Sequence, residues 1–146
     1  AIKNIFSLAV GASQGLYNQA TSEEKNYLNT AAALIQESIY EMIIFVEKLK
    51  GKKETVIGLA GIGDLYVSTY GGRNSKMGKY LGQGMTYKEA KKTKMTNITV
   101  EGADLALEIG KKVKKDFDSK TLPLMISIIN TICEEKPLKF DWKNFK

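Results

Sequence analysis

Residues 21–50 read TSEEKNYLNTAAALIQESIYEMIIFVEKLK, and this stretch decides the fold. Leu28, Ala31, Ala32, Ile35, Ile39, Met42, Ile43 and Val46 recur at three- and four-residue steps, the spacing that lays apolar side chains along one side of an α-helix. Thr21 or Ser22 suits the N-cap, Glu23 and Glu24 sit at the positive end of the helix dipole, Lys48 and Lys50 sit at its negative end, and Gly51 stops the run. The expected helix is on the order of thirty residues long and crosses the whole domain. Its broad apolar face calls for packing on more than one side and leaves room for a homodimer interface.

The same spacing appears on either side. Ile2 to Leu16 places Ile5, Leu8, Ala9 and Ala12 in helical phase, although Gly11 and Gly15 weaken it. Val100 to Lys115 does so through Ala103, Ala106, Leu107, Ile109 and Val113, and Leu122 to Glu134 through Leu124, Met125, Ile128, Ile129 and Ile132. Pro123 is tolerated in a first turn and Pro137 lies beyond the last. No alternating strand pair and no internal repeat is found, so the class is all-α: a multi-helix bundle around a long central helix, forming one domain over 1–146.

Composition removes several chemistries. The chain has 146 residues, 22 Lys+Arg against 16 Asp+Glu, a formal charge of +6, no His and one Cys. Without His, neither a Ser-His-Asp nor a Cys-His nucleophile system can form, nor a zinc site that uses His. With Cys133 alone there is no internal disulfide and no cysteine metal cage, which suits a reducing compartment; no metal site is expected. The strongly apolar run from Ile39 to Val46 is too short to cross a bilayer, and no signal pattern precedes Ile2, so the reading is a cytoplasmic domain with no membrane partner. Ala1 is not an initiator Met, and the chain is expected to be part of a longer protein.

Nine of the 13 glycines lie between Gly51 and Gly84, interrupting an otherwise helical pattern. A dinucleotide fingerprint fails here: Gly61-Ile62-Gly63 supplies two glycines, but Tyr66 stands at the third position and no strand precedes them. A GxxxxGK phosphate loop is also absent. An anion site fits better. Gly71 and Gly72 allow close backbone approach, Asn74 or Ser75 can cap a short helix from Lys76 to Leu81, and Arg73 offers a planar fork for two phosphate oxygens. Gly-Gly-Arg-Asn is equally the composition of an ordinary turn with a solvated Arg, and Asp64 reads as either a ligand contact or a helix cap.

Six short motifs in order then resemble one family. Ile2-Lys3-Asn4-Ile5, Gly58-Leu59-Ala60-Gly61-Ile62-Gly63-Asp64-Leu65, Arg73-Asn74, Leu81-Gly82-Gln83-Gly84, Val100-Glu101-Gly102 and Leu122-Pro123-Leu124 are similar to the LKN, GLAGxGDL, RN, LGxG, VEG and MPI motifs of the C-terminal, substrate-binding domain of NAD(P)-dependent glycerol-3-phosphate dehydrogenase. The resemblance implies a fold like the C-terminal domain of 6-phosphogluconate dehydrogenase. It implies an oxidoreductase interconverting sn-glycerol 3-phosphate and dihydroxyacetone phosphate with NAD or NADP, in glycerophospholipid precursor synthesis. Carried over by motif, Lys3 is the acid/base, Asp64 orients substrate and Lys3, and Gly72, Arg73 and Asn74 bind the substrate phosphate. Thr99 and Glu101, with Arg73, face the cofactor. The family's other domain, an N-terminal Rossmann fold, has no counterpart in 1–146; it would be the partner that holds most of the cofactor, and the domain alone is expected to be inactive.

Glu37 stands where the family's long helix usually carries Arg, and Gln14 where many members carry Asp. Two other readings differ in class. Four lysines in 88–94 and four in 111–115 would suit a basic helical nucleic-acid-binding module, but no nucleic-acid motif accompanies them and a solvated helix face is their usual meaning, so no nucleic-acid partner is expected. A related hydroxyacid dehydrogenase would share the fold, and the Gly-Asp-Leu and Gly-Gly-Arg-Asn pair argues for a small phosphorylated polyol instead.

Overall fold

The computed structural model describes residues 1–18 and 27–146. Helix α1 (Lys3–Asn18) is the hub: it packs on α2 (Tyr27–Lys48), α4 (Asp64–Ser68), α5 (Arg73–Gly82), α7 (Glu101–Asp116) and α8 (Pro123–Glu134). Ile5, Phe6, Leu8, Ala9, Val10 and Ala12 are all buried, so α1 is covered nearly all round, as its low polarity requires. Between these elements lie α3 (Lys53–Ile57), a π-helical turn over Leu59–Gly63, α6 (Tyr87–Thr93) and, last, a 3₁₀ turn over Trp142–Asn144. Among the described residues there is no strand, and the expected all-α class is what the chain forms. None of these helices is long and apolar enough to cross a membrane.

The long helix of the sequence reading is α2, described from Tyr27 onward; its expected cap at Thr21 or Ser22 and the first-turn Glu23 and Glu24 lie outside the described residues. Ala31, Leu34, Glu37, Ser38, Glu41 and Met42 form its buried face. At its C-terminal end the residue in the left-handed region is Lys50 (φ 60°), while the Gly51 amide closes the last turn on the Val46 carbonyl at 2.8 Å.

The glycines expected to weaken α1 are what lets it fold here. A Cβ on Gly11 would stand 2.2 Å from the Ser75 carbonyl oxygen, and one on Gly78 of α5 would stand 1.9 Å from the Leu8 oxygen. The two helices therefore touch backbone to backbone, and the loss of helix propensity, about 1 kcal/mol per Gly, is offset by close packing. Helix α5 itself is longer than the expected Lys76–Leu81. It starts at Arg73 with Gly72 as N-cap, and neither Asn74 nor Ser75 caps it. The start of α6 carries a capping box, Thr86 with Glu89, a signal present in the sequence as Thr-Tyr-Lys-Glu.

Candidate functional site

The chemistry-bearing residues sit at helix starts. Lys3 opens α1, Asp64 opens α4, Arg73 opens α5 and Glu101 opens α7, and side-chain contacts draw these four starts together. The Lys3 ammonium forms an ion pair with the Asp64 carboxylate. One turn further along each helix, Ser7 Oγ and Ser68 Oγ lie 2.8 Å apart, so α1 and α4 are pinned twice at an i, i+4 interval. The Ser75 hydroxyl donates to the Ser68 carbonyl, which carries the register on to α5.

At the start of α5, Arg73 pairs with Glu101. Asn74 Oδ1 accepts the Gly102 N–H at 2.9 Å, and Gly102 fits because a Cβ there would lie 2.2 Å from the Asn4 carbonyl oxygen. That accepted bond fixes the Asn74 amide so that its NH₂ group remains available to donate. Gly71 (φ 149°) and Gly72 (φ 111°) lie in backbone regions that side chains avoid, and no heavy atom comes within 4 Å of the place a Cβ would take at either. Their backbone faces open space.

Beside them is a cavity of about 440 Å³, lined by Gly71, Gly72, Arg73, Lys76, Lys79 and Gln14, with Met95, Ile98 and Ser75 completing the wall. Gln14 Nε2 donates to the Thr69 carbonyl at 2.9 Å and ties α1 to the end of α4, so the amide at this position is a structural link. Neither Lys76 nor Lys79 has an acidic partner among the described residues. The cavity wall is therefore cationic, carrying Arg73, Lys76 and Lys79 and no carboxylate.

Of the residues singled out in the sequence, the structure joins Lys3 to Asp64, Arg73 to Glu101, and Asn74 to the start of α7, with Gly72 and Arg73 on one cavity wall. Thr99 is exposed in the segment before α7 and takes no part in these contacts. Ser7, Ser68 and Lys79 escaped the sequence reading, and Lys76 entered it only as the expected start of a short helix. The signal for the serines was there: each lies four residues after a charged site residue, an interval that matters only once both segments are helices. Both ion pairs are solvent-accessible, with side chains 30% and 43% exposed for Lys3 and Asp64 and 58% and 39% for Arg73 and Glu101. Pairs of that exposure are worth about 0–1 kcal/mol, so either partner is readily handed to a ligand.

The chain matches, over residues 1–140, the family described as NAD-dependent glycerol-3-phosphate dehydrogenase C-terminus. It is 36% identical over 145 residues to a glycerol-3-phosphate dehydrogenase (NAD(P)+) of Agathobacter rectalis, covering 95% of this chain and 38% of that one. It is 30% identical over 151 residues to an NADP(+)-dependent glycerol-3-phosphate dehydrogenase of Archaeoglobus fulgidus, covering 100% of this chain and 44% of the relative. The crystal structure of glycerol-3-phosphate dehydrogenase from Coxiella burnetii superposes with a TM-score of 0.73 at 31% identity, over 93% of this chain and 39% of that one. The chain thus spans about two fifths of the length of the relatives it matches.

Proposed function

Because the chain belongs to the family of the NAD-dependent glycerol-3-phosphate dehydrogenase C-terminus, we propose that it is the substrate-binding and proton-transfer part of an enzyme interconverting sn-glycerol 3-phosphate and dihydroxyacetone phosphate. The observation that carries this reading is the pairing of Lys3 with Asp64 on helix starts that converge with those bearing Arg73 and Asn74. A phosphate dianion and a carbonyl turning into an alkoxide both gather negative charge, and both are matched by fixed cations and helix-start amides in one region.

In this mechanism Arg73 leaves its exposed pairing with Glu101 and takes two phosphate oxygens, while the Asn74 NH₂ group and the open backbone at Gly72 supply further donors. Lys3 donates a proton to the ketone oxygen of dihydroxyacetone phosphate in reduction and withdraws it from the C2 hydroxyl in oxidation. Asp64 holds the ammonium in place and steadies the substrate hydroxyl; Ser7 and Ser68 keep α1 and α4 in register beneath that pair.

A nicotinamide cofactor, when bound, supplies or accepts the hydride. The described residues contain no strand and no glycine-rich strand-to-helix turn that could carry a dinucleotide, but exposed Arg73, Thr99 and Glu101 fit one flank of such a group. We therefore assign these three to the cofactor side and the bulk of NAD or NADP binding to a separate dinucleotide-binding unit working with this domain. Cytoplasmic location and a homodimer built on the long helix belong to the same proposal.

The test uses this domain joined to its dinucleotide-binding unit. Lys3→Met is expected to lower kcat by roughly 10²–10⁴-fold with KM for dihydroxyacetone phosphate little changed, whereas Arg73→Ala is expected to raise KM. Unchanged kcat in Lys3→Met would refute the assignment. Assayed alone, the domain is expected to show no turnover.

A further inference from the structure

Away from this site, α2 buries two carboxyl groups on one face. Glu37 and Glu41, one turn apart, are each 1% exposed. The Glu41 oxygens accept the Leu124 N–H at 2.5 Å and the Met125 N–H at 2.7 Å, so this side chain caps the start of α8 from another helix. Glu37 Oε2 accepts the Lys146 N–H at 2.7 Å, while Glu37 Oε1 is buried and accepts from no donor among the described residues. The two side chains are i, i+4 neighbours on one buried face of α2, and each acts on the other's titration.

We propose that Glu37 and Glu41 hold a single proton between them, so that the pair carries one negative charge, and that this proton fastens α2 to the start of α8 and to the segment ending at Lys146. Two carboxylates in contact away from water repel strongly, and a shared proton turns that repulsion into a short hydrogen bond that also satisfies Glu37 Oε1. One remaining charge is what the amides at the start of α8 can stabilise.

Among the described residues, the helices packed on α2 bring no cation to the pair. Helix α8 offers Leu124 and Met125 through their backbone, and α1 has Lys3 and Tyr17 as its only titratable side chains, with Lys3 already held by Asp64. Helix α3 brings Lys53 and Glu54, neither bonded to the pair, and the π-helical turn brings no ionisable group. Beyond α8, Lys146 is the one cation that acts on Glu37, and none acts on Glu41. Burial pushes the Glu41 carboxyl up from 4.5 to about 8, and burial likewise raises Glu37. A carboxyl that binds its proton more tightly folded than unfolded gives stability that is complete below the unfolded value of 4.5 and is lost as pH rises through about 8.

The test is urea unfolding of the whole chain between about pH 5 and about pH 9, together with infrared detection of a protonated carboxyl at neutral pH. The folded-to-unfolded ratio of the parent is expected to fall by about tenfold or more across that range. Glu37→Gln, whose amide donates to Glu41 without titrating, is expected to flatten this loss and to remove the infrared band of the neutral acid. An unchanged pH slope in Glu37→Gln, or no protonated carboxyl in the parent at neutral pH, would overturn the proposal. Should Glu37→Gln not fold, the infrared titration of the parent decides by itself.

Discussion

Where α1 crosses α5, Gly11 and Gly78 are required because a side chain would collide with fixed backbone, at 2.2 Å and 1.9 Å; two turns away, Gly71 and Gly72 meet nothing within 4 Å and are required by their positive φ. The first pair closes space and the second keeps it open. In the sequence both belong to one glycine-rich impression, yet they answer to different forces: close packing of two helices in one case, backbone torsion at the rim of a cationic cavity in the other. The crossing therefore bears on global stability and, on the function proposed above, the rim bears on ligand access; three substitutions can break or sharpen this difference.

Gly78→Ala carries the largest effect. Its methyl has no rotamer to relieve the contact with the Leu8 oxygen, so the helices must separate along the whole crossing. The expected loss is about 3 kcal/mol, or a fall in Tm of roughly 10 °C, checked by thermal unfolding. Hydrogen exchange should speed throughout α1 and α5. A Tm near that of the parent would mean that the crossing is soft, and the distinction between the two glycine sets would collapse.

Gly72→Ala comes next. With φ 111° and ψ 164°, Gly72 occupies a region essentially closed to side chains, and the penalty is about 1–3 kcal/mol if the turn holds its shape. Because the residue is exposed, the turn can relax, and the change in exchange should stay near the start of α5. On the function proposed above, binding of a phosphate substrate is expected to weaken by a larger factor than stability. Equal losses in exchange across α1 and α5 would show that the rim is part of the packed crossing after all.

These two variants also mark what was legible in the sequence. Periodicity revealed α2, α7 and α8 because their apolar residues recur with few interruptions, and α1 because six buried side chains outweigh two glycines. It did not reveal α3, the π-helical turn or α4: five-residue elements carry too little of a 3.6-residue repeat, and Tyr66 and Val67 are exposed despite being apolar. The start of α5 was misjudged because Asn74 and Ser75 look like caps, whereas their side chains serve longer-range bonds to Gly102 and Ser68. At the site, the motifs brought Lys3, Asp64, Arg73 and Asn74 into view. Their juxtaposition depends on contacts between residues as far apart as 61 positions, which no local pattern encodes. The acid pair is a similar case. Glu37 and Glu41 look like a solvated i, i+4 face in a helix, and only the burial of that face by α8 and the Lys146 segment makes them unusual.

The smallest effect is expected at Gly63, immediately before Asp64. It belongs to neither set: its backbone is helical (φ −59°, ψ −43°), and an added Cβ would meet the tip of the Leu59 side chain, Cδ1 at 2.7 Å. Leu59 is 87% exposed, so that tip can rotate into solvent without disturbing anything packed beneath it. Gly63→Ala is therefore expected to change stability by no more than about 0.5 kcal/mol in either direction, since a modest gain in helix propensity offsets the rotamer change. Chemical denaturation measures this directly. A loss comparable to that of Gly78→Ala would place the π-helical turn, and with it the backbone that presents Asp64 to Lys3, inside the close-packed part of the molecule.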